Sequence, residues 1–182
     1  MMPMRRRLVV CALVALASTA APGCGYSLAG RGSFLPASVQ TIGVPTFINR
    51  TRVYNVEIQL TQKVRSEFIS RGKYKIVPED KGVDAVLIGE VVAVDSTPVA
   101  FDDNRIATRY ALIMSARIQL RSLADDKVLW ENPNLVFRDE YDVQTGTATL
   151  DPAAFFGQDA NALDRMTTNY ARTIVTAILE AF

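Results

Sequence analysis

The chain has 182 residues, 49% of them hydrophobic, with 20 Lys and Arg, 19 Asp and Glu, two cysteines and no histidine. That composition suits one globular domain with a core and excludes collagen-like, coiled-coil and wholly disordered classes. Without histidine there is no usual general base, no usual zinc ligand and no Ser-His or Cys-His nucleophile, and a formal charge of +1 makes no electrostatic case for nucleic acid. A binding or structural protein is therefore favoured over a hydrolase, with neither metal nor cofactor expected.

The first two dozen residues differ from the rest. Arg5, Arg6 and Arg7 precede ten apolar residues, Leu8 to Ala17, and the small residues Ser18, Thr19, Ala20 and Ala21 follow. This is the layout of a secretory signal peptide, and its apolar run is too short for roughly 30 Å of hydrocarbon at about 1.5 Å per helical residue. Ala21-Pro22-Gly23-Cys24 looks like a bacterial lipobox. On that resemblance residues 1–23 are a signal peptide, cleavage precedes Cys24, and Cys24 carries diacylglycerol on sulfur and an acyl chain, such as palmitate, on nitrogen. Each buried methylene contributes about 0.8 kcal/mol, and more than one chain is needed for stable anchoring. Gly25 is not the aspartate that commonly retains such lipoproteins in the inner membrane, so the implied address is the periplasmic face of the outer membrane. Cys11 leaves with the signal, and loss of three arginines takes the formal charge of the remaining 159 residues to −2.

Residues 24–38, rich in Gly, Ser and Pro, read as a lipidated N-terminus and extended lead-in, and 39–182 as a single domain. Val39 to Val44 reads as a short strand ended by Pro45, with Asn49, Arg50 and Thr51 as a polar turn. From Asn55 to Arg71, Val56, Leu60, Val64 and Phe68 recur at helical spacing and Gly72 supplies a stop. Ile58 and Ile69 fall opposite that stripe, which predicts a helix contacted on two sides. Tyr74 to Val77 and Ala85 to Val94 have the β-branched enrichment of strands, with breaks at Pro78 and Pro98. Tyr110, Leu112, Met114, Ala116, Ile118 and Leu120 then alternate with Arg109, Ala111, Ile113, Ser115, Arg117, Gln119 and Arg121, an unusually long strand with one core face and one arginine-bearing face.

Ala124 to Lys127 reads as a turn, followed by strands Val128 to Glu131 and, past Pro133, Leu135 to Val143. Asp151-Pro152 resembles a helix start, and Leu163, Met166, Tyr170, Ile174, Ala177, Ile178 and Ala181 form the apolar stripe of a C-terminal helix. The pattern is α+β: two helices packed on one face of a four- to five-stranded, largely antiparallel sheet.

The carboxylate neighbours Asp102/Asp103, Asp125/Asp126 and Asp139/Glu140 sit in turns or on alternate strand faces, where solvation is the ordinary outcome and catalysis is not. No phosphate loop, metal spacing or nucleophile motif appears. Arg109, Arg117 and Arg121 share a strand face, and Arg105 lies in the loop beside it, so planar donors for phosphate or carboxylate converge there. Pattern alone favours pairing of these arginines with Glu90, Glu140 and Asp142 on neighbouring strands.

Several blocks together resemble one family. They are Cys24-Gly25-Tyr26-Ser27-Leu28-Ala29-Gly30, Leu35-Pro36, Thr41-Ile42-Gly43-Val44-Pro45-Thr46-Phe47 with Asn49-Arg50-Thr51, Ala107-Thr108-Arg109-Tyr110, Val128-Leu129-Trp130-Glu131-Asn132-Pro133, Phe137-Arg138-Asp139-Glu140-Tyr141 and Asp151-Pro152-Ala153-Ala154-Phe155-Phe156. In this order they resemble the LptE lipopolysaccharide-assembly lipoproteins. The resemblance implies two helices on a four-stranded sheet, a non-enzymatic role as plug and assembly partner of the LptD β-barrel, and binding of lipopolysaccharide through basic residues in loops at one end of the sheet. Asp102 and Asp103 stand where a basic residue is expected, which leaves Arg105, Arg109 and Arg138 as the candidate lipid-binding residues. Val44 to Thr51 is also similar to the strand-to-helix start of outer-membrane lipoproteins that activate a cell-wall synthase, the alternative reading.

Overall fold

The computed structural model describes residues 35–142 and 160–181. The signal peptide, Cys24, most of the lead-in and the helix start at Asp151-Pro152 lie outside them. In chain order the elements are β1 (Thr41–Gly43), β2 (Ile48–Asn49), α1 (Val56–Ser70), β3 (Lys75–Val77), β4 (Ala85–Phe101), β5 (Ala107–Ser122), β6 (Val128–Asp142) and α2 (Ala160–Leu179).

The α+β reading holds, but among the described residues the sheet has six strands and is mixed. Its order is β3-β1-β4-β5-β6, with β2 also pairing β4. β4, β5 and β6 form a long antiparallel meander, whereas β1 pairs with β3 and β4 in parallel, as β2 does with β4. Parallel neighbours need a crossover, and α1 supplies it between β1 and β3. The expected turn at Asn49 begins with the short strand β2, and Asn49 Oδ1 accepts hydrogen bonds from the Thr51 N–H and hydroxyl, both at 2.8 Å.

Neither proline breaks its strand. Pro98 lies at a register shift in the part of β4 beyond its pairing with β1 and β2. Pro133 lies in β6, where the register steps from Ala116↔Leu135 to Ile118↔Asn132. β6 ends the strand order, and a proline at a bulge or free edge removes no ladder hydrogen bond.

The helices cover one face of the sheet. Val56, Leu60, Val64 and Phe68 are fully buried, as are Met166, Tyr170, Ile174 and Ile178 of α2, and these join Leu112, Met114, Ala116, Ile118 and Leu120 of β5 in one core. Burial of each large apolar side chain contributes about 1.5–3 kcal/mol. Leu35, within the predicted lead-in, also belongs to this core. α1 stops as expected: Gly72, at φ 66°, donates its N–H to the Ile69 carbonyl at 2.9 Å. The opposite side of α1 leaves Ile58 and Ile69 exposed, so no second contact to it forms within the described residues.

Phe47 roofs the strand at Gly89. A Cβ at Gly89 would stand 2.6 Å from three ring atoms of Phe47, a close approach only glycine permits. Nearby, the Phe47 N–H donates to Thr61 Oγ1 at 2.9 Å, and Arg65 Nε donates to the Val44 carbonyl at 2.8 Å. Asp84 Oδ2 accepts the Gln40 and Thr41 N–H groups at 2.9 and 2.8 Å, tying the approach to β1 onto β4. Thr41 and then Gln40 hold the Asp84 carboxyl below its usual range.

Candidate functional site

The face of the sheet opposite the helices carries the arginines. β5 alternates along most of its length, with buried Ala111 the exception, so packing Tyr110, Leu112 and Met114 inward turns Arg109, Arg117 and Arg121 outward. Antiparallel register then sets Arg109 opposite Asp142, Arg117 opposite Glu90 and Ile113 opposite Arg138. The pairing favoured by pattern forms at Arg109 and Arg117, whereas Arg121 turns to Asp126 and Arg105 pairs with none of Glu90, Glu140 and Asp142. Arg109 Nε donates to Asp142 Oδ1 at 2.7 Å, and its Nη1 lies 4.0 Å from Glu140 Oε2. Arg138 Nη2 lies 3.4 Å from Glu140 Oε1, and Arg121 Nη1 lies 3.1 Å from Asp126. Glu90 is clamped by Arg50 and Arg117, each at 2.6 Å.

These pairings set the local electrostatics. The Arg50 hydrogen bond, reinforced by the Arg117 charge, holds the Glu90 carboxyl below its ordinary value, and Asp142 raises the pKa of Arg109 still further. The Arg109–Asp142 pair is solvent-facing, where the energy of a single ion pair is small, whereas Glu90 is half-buried beneath its two exposed arginines.

At the distal end of the meander, residues 102–106 turn β4 into β5. Asp102 Oδ1 accepts the N–H groups of Asn104 and Ile106 at 2.9 and 2.8 Å, and the Asp102 carbonyl accepts the Arg105 N–H at 3.0 Å. The acid standing where a basic residue was expected therefore builds the turn. The sequence signal for this was the Asp-Asp-Asn run, whose short side chains make such local bonds. Arg105 adopts φ 60° at the tip, is exposed, and makes no ion pair among the described residues. The three candidate arginines thus lie toward one end of the meander: Arg105 in the turn, Arg109 as the third residue of β5, and Arg138 sharing Glu140 with Arg109.

The acids of the other two pairs are also engaged. Asp125 is held below its usual range by the Ser122 hydroxyl, Asp126 pairs with Arg121, and Asp139 Oδ2 accepts the Tyr141 hydroxyl at 3.2 Å. No cluster of three or more potential metal ligands exists among the described residues, nor is any described helix long and apolar enough to cross a membrane.

Several solved structures are similar to this chain. Protein CT253 of Chlamydia trachomatis aligns with a TM-score of 0.50 at 11% identity, covering 77% of this chain and 95% of that one. Rare lipoprotein B of Shewanella oneidensis aligns at 0.46 and 14%, covering 75% and 93%. Lipoprotein B of Nitrosomonas europaea aligns at 0.49 and 9%, covering 80% and 88%. At such identities the likeness concerns the fold alone. No curated protein matches the chain. The family model described as LptE, lipopolysaccharide-assembly, matches residues 39–178, which span β1 to nearly the end of α2. The chain belongs to the LptE family, whose part in lipopolysaccharide assembly is non-enzymatic.

Proposed function

We propose that this protein is an outer-membrane lipoprotein, anchored through acylated Cys24 on the periplasmic face, that plugs and helps assemble an LptD-type β-barrel and binds lipopolysaccharide phosphates at the distal end of its sheet. The observation that carries the binding half is the gathering of Arg105, Arg109 and Arg138, all exposed, at one end of the β4–β6 meander. Guanidinium groups there offer planar, bidentate donors to phosphate. The plug half is supported by family membership and by the open sheet face, whose Arg, Glu, Gln and Ser side chains can hydrogen-bond to a polar barrel lumen.

Three experiments test the reading. Purification in native detergent is expected to recover a one-to-one complex with a β-barrel, and recovery as a free monomer would overturn the plug role. Reversing both charges, Arg105→Glu with Arg109→Glu, is expected to weaken binding of purified lipopolysaccharide; unchanged affinity removes those residues from the site. Metabolic labelling with a clickable fatty acid is expected to mark the wild type and not Cys24→Ala, and equal labelling of both would refute the anchor.

A further inference from the structure

We infer that Asp142 and Glu140 are built-in counter-ions of the phosphate-binding end: they occupy Arg109 when no lipid is bound and are exchanged for phosphate oxygens when one arrives. The inference rests on the proposed lipopolysaccharide site and adds its regulation. Its basis is register. Asp142 faces Arg109 across the β5–β6 ladder, so the backbone itself presents a carboxylate to this guanidinium, and Arg109 Nε donates to it at 2.7 Å. Glu140 stands 4.0 Å from the same guanidinium and 3.4 Å from that of Arg138. Two cations therefore meet two anions, and the cluster is neutral until a carboxylate leaves.

Departure requires only side-chain rotation. The Asp142 side chain is 76% exposed, so releasing Arg109 returns it to water without unpacking the core. The hydrogen bond to Asp142 uses Nε, which leaves the rest of the donor fork for a second oxygen. A phosphate monoester carries a charge of about −1.5 to −2 and accepts bidentate bonds from arginine, so it outcompetes a single carboxylate contact. Arg105, exposed in the turn and with no ion pair among the described residues, meets the phosphate first. The return of Asp142 to Arg109 lets the lipid go, as cargo in transit requires.

The test measures binding of purified lipopolysaccharide to the full-length chain and its variants. Removing the competing charge in Asp142→Asn is expected to tighten binding by about two- to fivefold, the range set by a solvent-exposed ion pair. The gain is expected to vanish in the Arg109→Gln background and with lipopolysaccharide stripped of phosphate. Glu131→Gln, on the same strand far from the cluster, changes net charge equally and is expected to leave affinity unchanged. Unchanged or weaker binding in Asp142→Asn overturns the inference, as does a gain that persists without Arg109 or without lipid phosphate, or that Glu131→Gln reproduces. Inorganic phosphate alone is expected not to bind measurably; saturable binding of it would replace the lipid headgroup with a free anion. If Arg109→Gln alone leaves affinity untouched, the site reading itself fails, which separates the two failures.

Discussion

Replacing Gly89 by alanine tests how the core is closed. The added methyl would stand 2.6 Å from Cδ1, Cδ2 and Cε2 of Phe47, whereas carbon atoms rest at about 3.5–4.0 Å. The ring must therefore retreat by about 1 Å, given that contact distance. It has little room to do so, since Phe47 is 3% exposed, belongs to the core and is tethered through its N–H to Thr61. Overpacking of this kind costs about 1–3 kcal/mol. Alanine recovers about 0.5–1 kcal/mol over glycine in a strand interior, because Gly89 is not among the positive-φ residues. The midpoints of those two ranges leave a net loss of about 1 kcal/mol, or a fall in Tm of roughly 2–4 °C for a domain of this size. Urea unfolding followed by the single tryptophan, Trp130, gives the value directly. In a Phe47→Leu background the same substitution should be nearly neutral, giving a coupling energy of about 1 kcal/mol or more. Wild-type stability of Gly89→Ala, or an equal loss in both backgrounds, would refute the reasoning.

Asp102→Ala should loosen the β4–β5 turn, since two N–H groups lose an acceptor at about 0.5–1.5 kcal/mol each. Faster amide exchange at Asn104 and Ile106, with little change in global unfolding, is the expected result, and unaltered exchange would contradict it. Glu90 has a folded-state pKa below the ordinary glutamate value of 4.5, so its stabilising effect is present above that value and lost as pH falls through the folded one. The stability gap between wild type and Glu90→Gln should therefore close in acid, and a gap independent of pH would show that the Arg50 and Arg117 contacts do not act through charge. Tyr170 donates its buried hydroxyl to the Leu135 carbonyl and stacks on Phe137 with ring centroids 5.6 Å apart. Tyr170→Phe keeps the stack and should lose about 1 kcal/mol in urea unfolding, and no loss would argue that the bond is silent.

Much of this molecule was legible as period and punctuation. Alternation along β5 separated Leu112, Met114 and Ile118 from Arg109 and Arg117 because a strand's side chains change face at every residue, whatever surrounds it. Helical spacing did the same for Val56, Leu60, Val64 and Phe68, and Gly72 marked the end of α1 because only a residue at ease with positive φ closes a helix there. The pairing of Arg109 with Asp142 and of Arg117 with Glu90 was also legible, as charge opposite charge on a shared face, whereas that of Arg121 with Asp126 was not.

Tertiary structure decided what depends on distant partners. The direction in which β1, β2 and β3 run beside their neighbours leaves no mark in two- or three-residue strands, since parallel and antiparallel pairs use the same side chains. Pro98 and Pro133 could be placed inside strands only once bulges and a free edge were known. The site followed the same division. Arginine types and their outward face came from local pattern, whereas the 2.7 Å pairing of Arg109 with Asp142, 33 residues later, required the register of two long strands. Local sequence determines which way a side chain points; only the assembled sheet determines what it meets.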